Sequence, residues 1–187
     1  MLASKLDQRY DNVMDPKTVK YSLGNPRSII AETFGEPGRR TFRLVIESGE
    51  ARSDIWLEKE QLLQLGVYLQ EAIRTLSDDE RVKDSVPGEP AWSGGDTFVE
   101  FKAIQMQLSY DVAANSFYLV AYESDESEEE SASVSCWINP NQAQQLFEES
   151  LSICASGRPP CFLCGSPIDP EGHVCPRANG HAVFESG

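Results

Sequence analysis

The chain runs through one order of elements twice, and the second pass repeats letters of the first. Trp56-Leu57 stands ahead of Gln61, Gln64 and Leu65, and Trp137-Ile138 stands ahead of Gln142, Gln145 and Leu146. Each residue lies 81 positions from its counterpart (137 minus 56). A repeat of this length points to a supersecondary unit used twice. Ser28–Phe34 is rich in β-formers, and Gly35-Glu36-Pro37-Gly38 carries the residues of a type II turn. Thr41–Glu47 then alternates, with Phe42, Leu44 and Ile46 on one face and Arg43, Val45 and Glu47 on the other. Arg52–Leu57 reads as a third strand. From Glu58 the period turns helical, through Leu62, Leu65, Leu69, Ile73 and Leu76.

A polar loop over residues 78–96 separates the two passes. Thr97–Ser109 then reads as one long strand, with Phe117–Glu123 and Ser131–Ile138 as the next two. Pro140 starts a helix with Asn139 as its N-cap, and Ala143, Leu146, Phe147, Leu151 and Cys154 form its apolar stripe. The expected fold is α+β: two β-β-β-α repeats (halves 27–77 and 97–155) with mainly antiparallel sheet. A flexible lead-in over 1–26 precedes them, and a small tail over 156–187 follows. A single meander with one helix buries too little surface alone, so the two copies should share a sheet or pack face to face. Both tryptophans read as repeated core or sheet-end packing.

Composition narrows the function classes. At 187 residues and 40% hydrophobic the chain can build an ordinary core. No apolar run approaches the roughly 20 residues that cross a bilayer. Residues 1–10 carry charges where a signal peptide would keep an apolar stretch, so the expected compartment is the cytoplasm, where thiols stay reduced. The formal net charge of -14 disfavours general binding to nucleic acid. Six of the acids fall within Glu123–Glu130, which reads as a solvated hairpin loop.

The tail carries the chemistry. Cys161-x-x-Cys164-Gly165 is followed by His173-x-Cys175-Pro176, and His181 lies six residues beyond Cys175. A Cys-x-x-Cys turn lets two thiolates face one cation, and the ten residues between Cys164 and Cys175 suffice for a short hairpin. Position 178 is Ala where a second Cys-x-x-Cys would end, which leaves His173 as the better fourth ligand and His181 as the alternative. Cys161, Cys164, His173 and Cys175 are therefore the expected ligands of a structural Zn²⁺ in a ribbon-like element. Cys136 and Cys154 read as buried apolar residues.

Elsewhere the sequence offers no Gly-rich phosphate loop, no nucleophile elbow and no His outside this segment. Arg27, Arg39, Arg40 and Arg43 are the only basic concentration, read as a solvated hairpin edge, with anion contact as the rival. The tail run Gly157-Arg158-Pro159-Pro160-Cys161 through Cys175-Pro176-Arg177-Ala178-Asn179-Gly180 resembles the ending of the bacterial DUF3090 family. Gly35-Glu36-Pro37-Gly38-x-x-Thr41-Phe42 and Leu57-Glu58-Lys59-Glu60-Gln61 resemble its first hairpin and helix start. The resemblance implies a cytosolic bacterial α+β protein ending in a zinc-ribbon-like element, with His173 rather than His181 as the ligand. Phe162, the acidic insert and the longer N-terminus depart from the family pattern.

The expected function is a non-catalytic, zinc-stabilised binding or adaptor protein whose partner is a protein. One alternative is an enzyme acting on a phosphorylated or anionic small molecule in a cleft between the repeats. The other is nucleic-acid binding through the ribbon, which the tail's Arg158 and Arg177 against Asp169, Glu171 and Glu185 disfavour.

Overall fold

Phe42, Leu44 and Ile46 are buried on one face of their strand as the alternation predicts, and the remaining elements build outward from that face. The structure, a computed structural model, describes residues 19–36, 38–82, 89–123 and 132–155, with residues 163, 164, 168, 174, 175 and 177 of the tail. The elements in chain order are β1 (Tyr21–Ser22), β2 (Ser28–Phe34), β3 (Thr41–Ser48), β4 (Ala51–Leu57), α1 (Lys59–Thr75) and α2 (Asp78–Val82). They continue with β5 (Thr97–Lys102), β6 (Gln105–Asp111), β7 (Ser116–Tyr122), β8 (Ser133–Ile138) and α3 (Pro140–Ala155).

Two four-stranded sheets result, ordered β2-β3-β4-β5 and β1-β8-β7-β6. Each is an antiparallel meander with a fourth strand laid parallel against its last member, β5 on β4 and β1 on β8. The fourth strand comes from elsewhere in the chain. β1 precedes the first meander but joins the second sheet, while β5 precedes the second meander but joins the first. Each sheet is thus closed by a strand from the other half. One contiguous core draws on both sheets and both long helices, including Leu23, Leu44, Leu62, Leu69, Leu119 and Leu146.

Two expectations need correction. Thr97–Ser109 is not one strand: the chain leaves the first sheet after Lys102 and enters the second at Gln105. The alternation records this, because Val99, Phe101 and Ala103 face the core at odd positions while Met106, Leu108 and Tyr110 pack against it at even ones. A one-residue slip exchanges the faces of a strand. The lead-in, expected through residue 26, ends sooner, since Tyr21 and Ser22 pair with Val134 and Ser135 and Leu23 is fully buried. Residues 1–18 lie outside the described residues.

The helix starts fulfil the sequence reading. Asn139 caps α3 by accepting from the Gln142 backbone N–H at 2.8 Å, and Gln142 returns the favour to the Asn139 N–H at 3.0 Å. Gln61 does the same for the Glu58 N–H at 2.8 Å. These are reciprocal capping contacts that satisfy donors left over at a helix start. The two helices cross where Gly66 meets Ser150, a Cβ at Gly66 falling 3.0 Å from the Ser150 Cβ. The segment around residues 89–92 ties the sheets together. Trp92 N–H donates to Ser48 Oγ at 2.9 Å, and Ser48 Oγ donates to the Leu23 carbonyl at 2.5 Å. Gly24 (φ +57°) lets the Pro90 carbonyl pass where a Cβ would stand 1.7 Å from its oxygen.

Candidate metal centre and the outer sheet faces

The expected ligands divide between described and other residues. Cys161, His173 and His181 lie outside the described residues; Cys164 sits half-buried in a turn and Cys175 is buried. One contact joins the segments that carry them. Arg177 Nη1 donates to the Leu163 carbonyl at 2.7 Å, holding the residue before Cys164 beside the chain just after Cys175. No group of three potential ligands occurs among the described residues, as follows when two of the four fall outside them. The chemistry of the donor set, three thiolates and an imidazole, suits Zn²⁺.

Cys136 and Cys154 belong to the core. Complete burial pushes the Cys136 thiol up to about 12. Burial also raises Cys154, which points its sulfur at the Lys59 carbonyl at 3.8 Å. A thiol held protonated is a poor nucleophile and a poor ligand, so neither belongs with the tail set.

The basic cluster resolves into ion pairs on the outer face of the first sheet. Arg43 reaches Glu32 at 2.7 Å and Asp54 at 2.6 Å, while its guanidinium lies over the rings of Phe34 (4.7 Å) and Trp56 (5.4 Å). Arg52 pairs with Asp54 at 2.8 Å, and Arg27 pairs with Glu47 at 3.1 Å. The hydrogen bonds from Arg27, ahead of that from Ser28, hold the Glu47 carboxyl below the ordinary carboxylate range. Asp54 is buried, and two guanidiniums compensate its charge. Arg39 and Arg40 were grouped with these residues in the sequence, but the face is built on Arg43 and Arg52. Asp54 was missed there because a single acid in a strand gives no sign of burial.

The second sheet places different chemistry on the corresponding face. Tyr118 stands 4.6 Å from Trp137, ring centre to ring centre, where the first sheet has Arg43 beside Trp56. Trp56 Nε1 donates to Glu100 of β5 at 2.8 Å, whereas the buried Trp137 Nε1 meets no hydrogen-bond acceptor among the described residues. Burial raises the Tyr118 and Tyr122 hydroxyls, with Ser135 tempering the shift at Tyr118. Trp56 and Trp137 therefore stand opposite different residues, Arg43 and Tyr118, on their sheets. The acidic run begins at Glu123, whose N–H donates to the Ala132 carbonyl at 2.9 Å and whose carboxylate accepts from the Ala132 N–H at 2.8 Å. Residues 124–131 lie outside the described residues.

Among the described residues no helix is long and apolar enough to cross a membrane. No curated protein and no solved structure matches the chain significantly. The family profile described as "Protein of unknown function (DUF3090)" matches residues 21–175, from the first residue of β1 to the last cysteine. That span covers well over half of the sequence, and the chain belongs to the DUF3090 family.

Proposed function

We propose that this chain is a non-catalytic binding or adaptor protein whose tail is held by a structural Zn²⁺ on Cys161, Cys164, His173 and Cys175. The observation that carries the metal reading is the Arg177–Leu163 contact, which joins the two ligand-bearing segments across the intervening residues. A closed set of thiolates and imidazole supplies folding energy to a segment too small for its own core. The non-catalytic reading rests on how the conspicuous polar groups are used. Arg43, Arg52, Asp54 and Glu32 bind one another across the outer face of the first sheet.

The duplicated β-β-β-α plan belongs to the same proposal. Its support is that Gln61 and Gln142, 81 residues apart, make the same two contacts. Protein is the partner class that suits a chain of net charge -14, and a bacterial cytoplasm is the setting.

Metal analysis of protein purified without chelator tests the first part. One equivalent of zinc is expected, and less than about half an equivalent rejects it. Affinity capture from the native cell, repeated with Cys161→Ser, tests the second. A partner retained by the wild type and lost from the variant supports the adaptor reading.

A further inference from the structure

Helix α1 has two apolar faces, and only one of them is buried. Leu62, Leu65, Gly66, Leu69 and Ile73 point into the molecule, where Gly66 meets Ser150 of α3. The opposite face holds Leu63, Val67 and Tyr68 at 39%, 37% and 60% exposure. Ile104, also exposed, stands beside the start of the helix, its carbonyl 3.4 Å from Gln61 Nε2.

Single exposed apolar residues are ordinary, but these three occupy adjacent turns of one helix face. Helix formation does not call for them, since Val and Tyr are poorer helix formers than Gln or Glu. The residues 81 positions on, in α3, are Gln144, Glu148 and Glu149, all polar. On the buried side the same step leads from Leu62, Leu65 and Ile73 to Ala143, Leu146 and Cys154, which are buried too. The two helices therefore part company on their outer faces.

Charge says what can lie there. Helix α1 sets the cations Lys59 and Arg74 against the anions Glu60 and Glu71, whereas α3 carries Glu148 and Glu149 with no cation. On a chain of net charge -14 the α1 face is thus locally neutral, and a second copy can approach it without strong repulsion. Its charges are also self-complementary. Glu60, Val67 and Arg74 follow one another at seven-residue steps, which drift by only about 20° each and so run down one line of the exposed face. Glu60 and Arg74 stand about 21 Å apart along the axis, 74 minus 60 residues at about 1.5 Å each. Neither has an ion-pair partner among the described residues.

From this face, apolar in its middle and oppositely charged at its ends, we infer that the chain pairs with a second copy of itself through α1, the two helices antiparallel about a two-fold axis at Val67. Val67 then meets Val67 of the partner subunit, Leu63 and Tyr68 flank that contact, and Glu60 faces Arg74 of the partner subunit at both ends. Antiparallel pairing also puts the positive end of each helix dipole beside the negative end of the other. Contact along about 21 Å of helix buries less than the ~1,600 Å² of a standard interface, so a dissociation constant on the order of 10–100 µM is expected. This inference goes beyond the binding-protein reading and does not depend on the metal.

Sedimentation equilibrium of the full chain, purified without chelator, tests it over about 1–300 µM, a range that brackets the expected constant. A monomer–dimer equilibrium is expected. Val67→Lys, which sets like charges against each other on the axis, should leave monomer alone. Glu60→Arg and Arg74→Glu each place like charges together at both ends and should weaken the dimer about tenfold. The double variant Glu60→Arg/Arg74→Glu should restore it, a rescue that a damaged fold would not give. Gln145→Lys on α3 should change nothing. Monomer at every concentration overturns the inference and leaves the face to a different protein. Association that survives Val67→Lys also overturns it, as does a double variant no tighter than the single ones. Zinc is measured on the same sample: dimer without zinc rejects the metal reading alone, whereas zinc without dimer rejects the α1 pairing alone.

Discussion

The side-chain amide of Gln142 donates to the Pro26 carbonyl at 2.9 Å, across 116 residues of sequence. Its oxygen meanwhile accepts the Asn139 N–H at the start of α3. Gln61 repeats the pattern, accepting from Glu58 and donating to Ala103. Pro26 and Ala103 both lie where the chain passes from one sheet to the other. One glutamine at the start of each long helix therefore fastens that helix to the crossing segment.

Gln142→Met keeps bulk and helix propensity but removes both bonds, leaving buried or half-buried partners short. A loss of about 1–3 kcal/mol is expected from urea unfolding. The exposed Gln145, changed to Met, serves as the control and should shift stability by less than about 0.5 kcal/mol. Equal effects at the two sites would deny Gln142 its fastening role.

Arg43→Met leaves the buried Asp54 with Arg52 as its one remaining cation among the ion pairs described and strips Glu32 of its partner. About 2–4 kcal/mol should be lost, because removing one partner leaves a buried charge undercompensated. Glu32→Gln, at the more exposed end of the network, should cost less. The comparison is made by equilibrium unfolding at pH 7.

The tyrosines predict an alkaline limit. Burial, ahead of the charges of Glu80 and Asp111, raises the Tyr110 hydroxyl above its ordinary value of 10.0, and burial does the same at Tyr118 and Tyr122. In the unfolded chain these groups ionise first, so above pH 10 the unfolded state binds fewer protons and stability falls as pH rises. Below pH 10 the contribution is fully present. Urea midpoints between pH 9 and 11 should decline, and Tyr118→Phe should flatten the decline. At pH 7, where the hydroxyl is protonated in both states, the same variant should shift stability by no more than about 1 kcal/mol.

Thiol chemistry separates the cysteines. Cys136, pushed up to about 12, should resist iodoacetamide at pH 8 in the folded protein. Cys175→Ser should lose zinc, whereas Cys136→Ala should keep it while losing some stability. Rapid labelling of Cys136 in the native state would show that its burial is not maintained.

Much of this architecture is readable before any tertiary information. Phe42, Leu44 and Ile46 alternate because one sheet face meets the core, and the α1 and α3 stripes follow helical period for the same reason. Asn139 and Gln142 announce a helix start because the capping contacts span only three residues. The slip between Ala103 and Met106 was also present, but an apolar run through Ile104 hides a change of phase from a reader who expects one strand.

By itself the sequence determined the first meander, the two long helices, the Asn139 cap and the cysteine spacing, all of which depend on neighbours a few residues apart. Only the tertiary structure decided that β1 and β5 are exchanged between the sheets, that Asp54 is buried between two arginines, and that the Trp56 indole donates to Glu100 of a strand from the other half. The physical reason is common to all three. Strand pairing, desolvation and the bonding of a buried donor are set by groups distant in the chain, and local pattern carries no record of which distant group arrives.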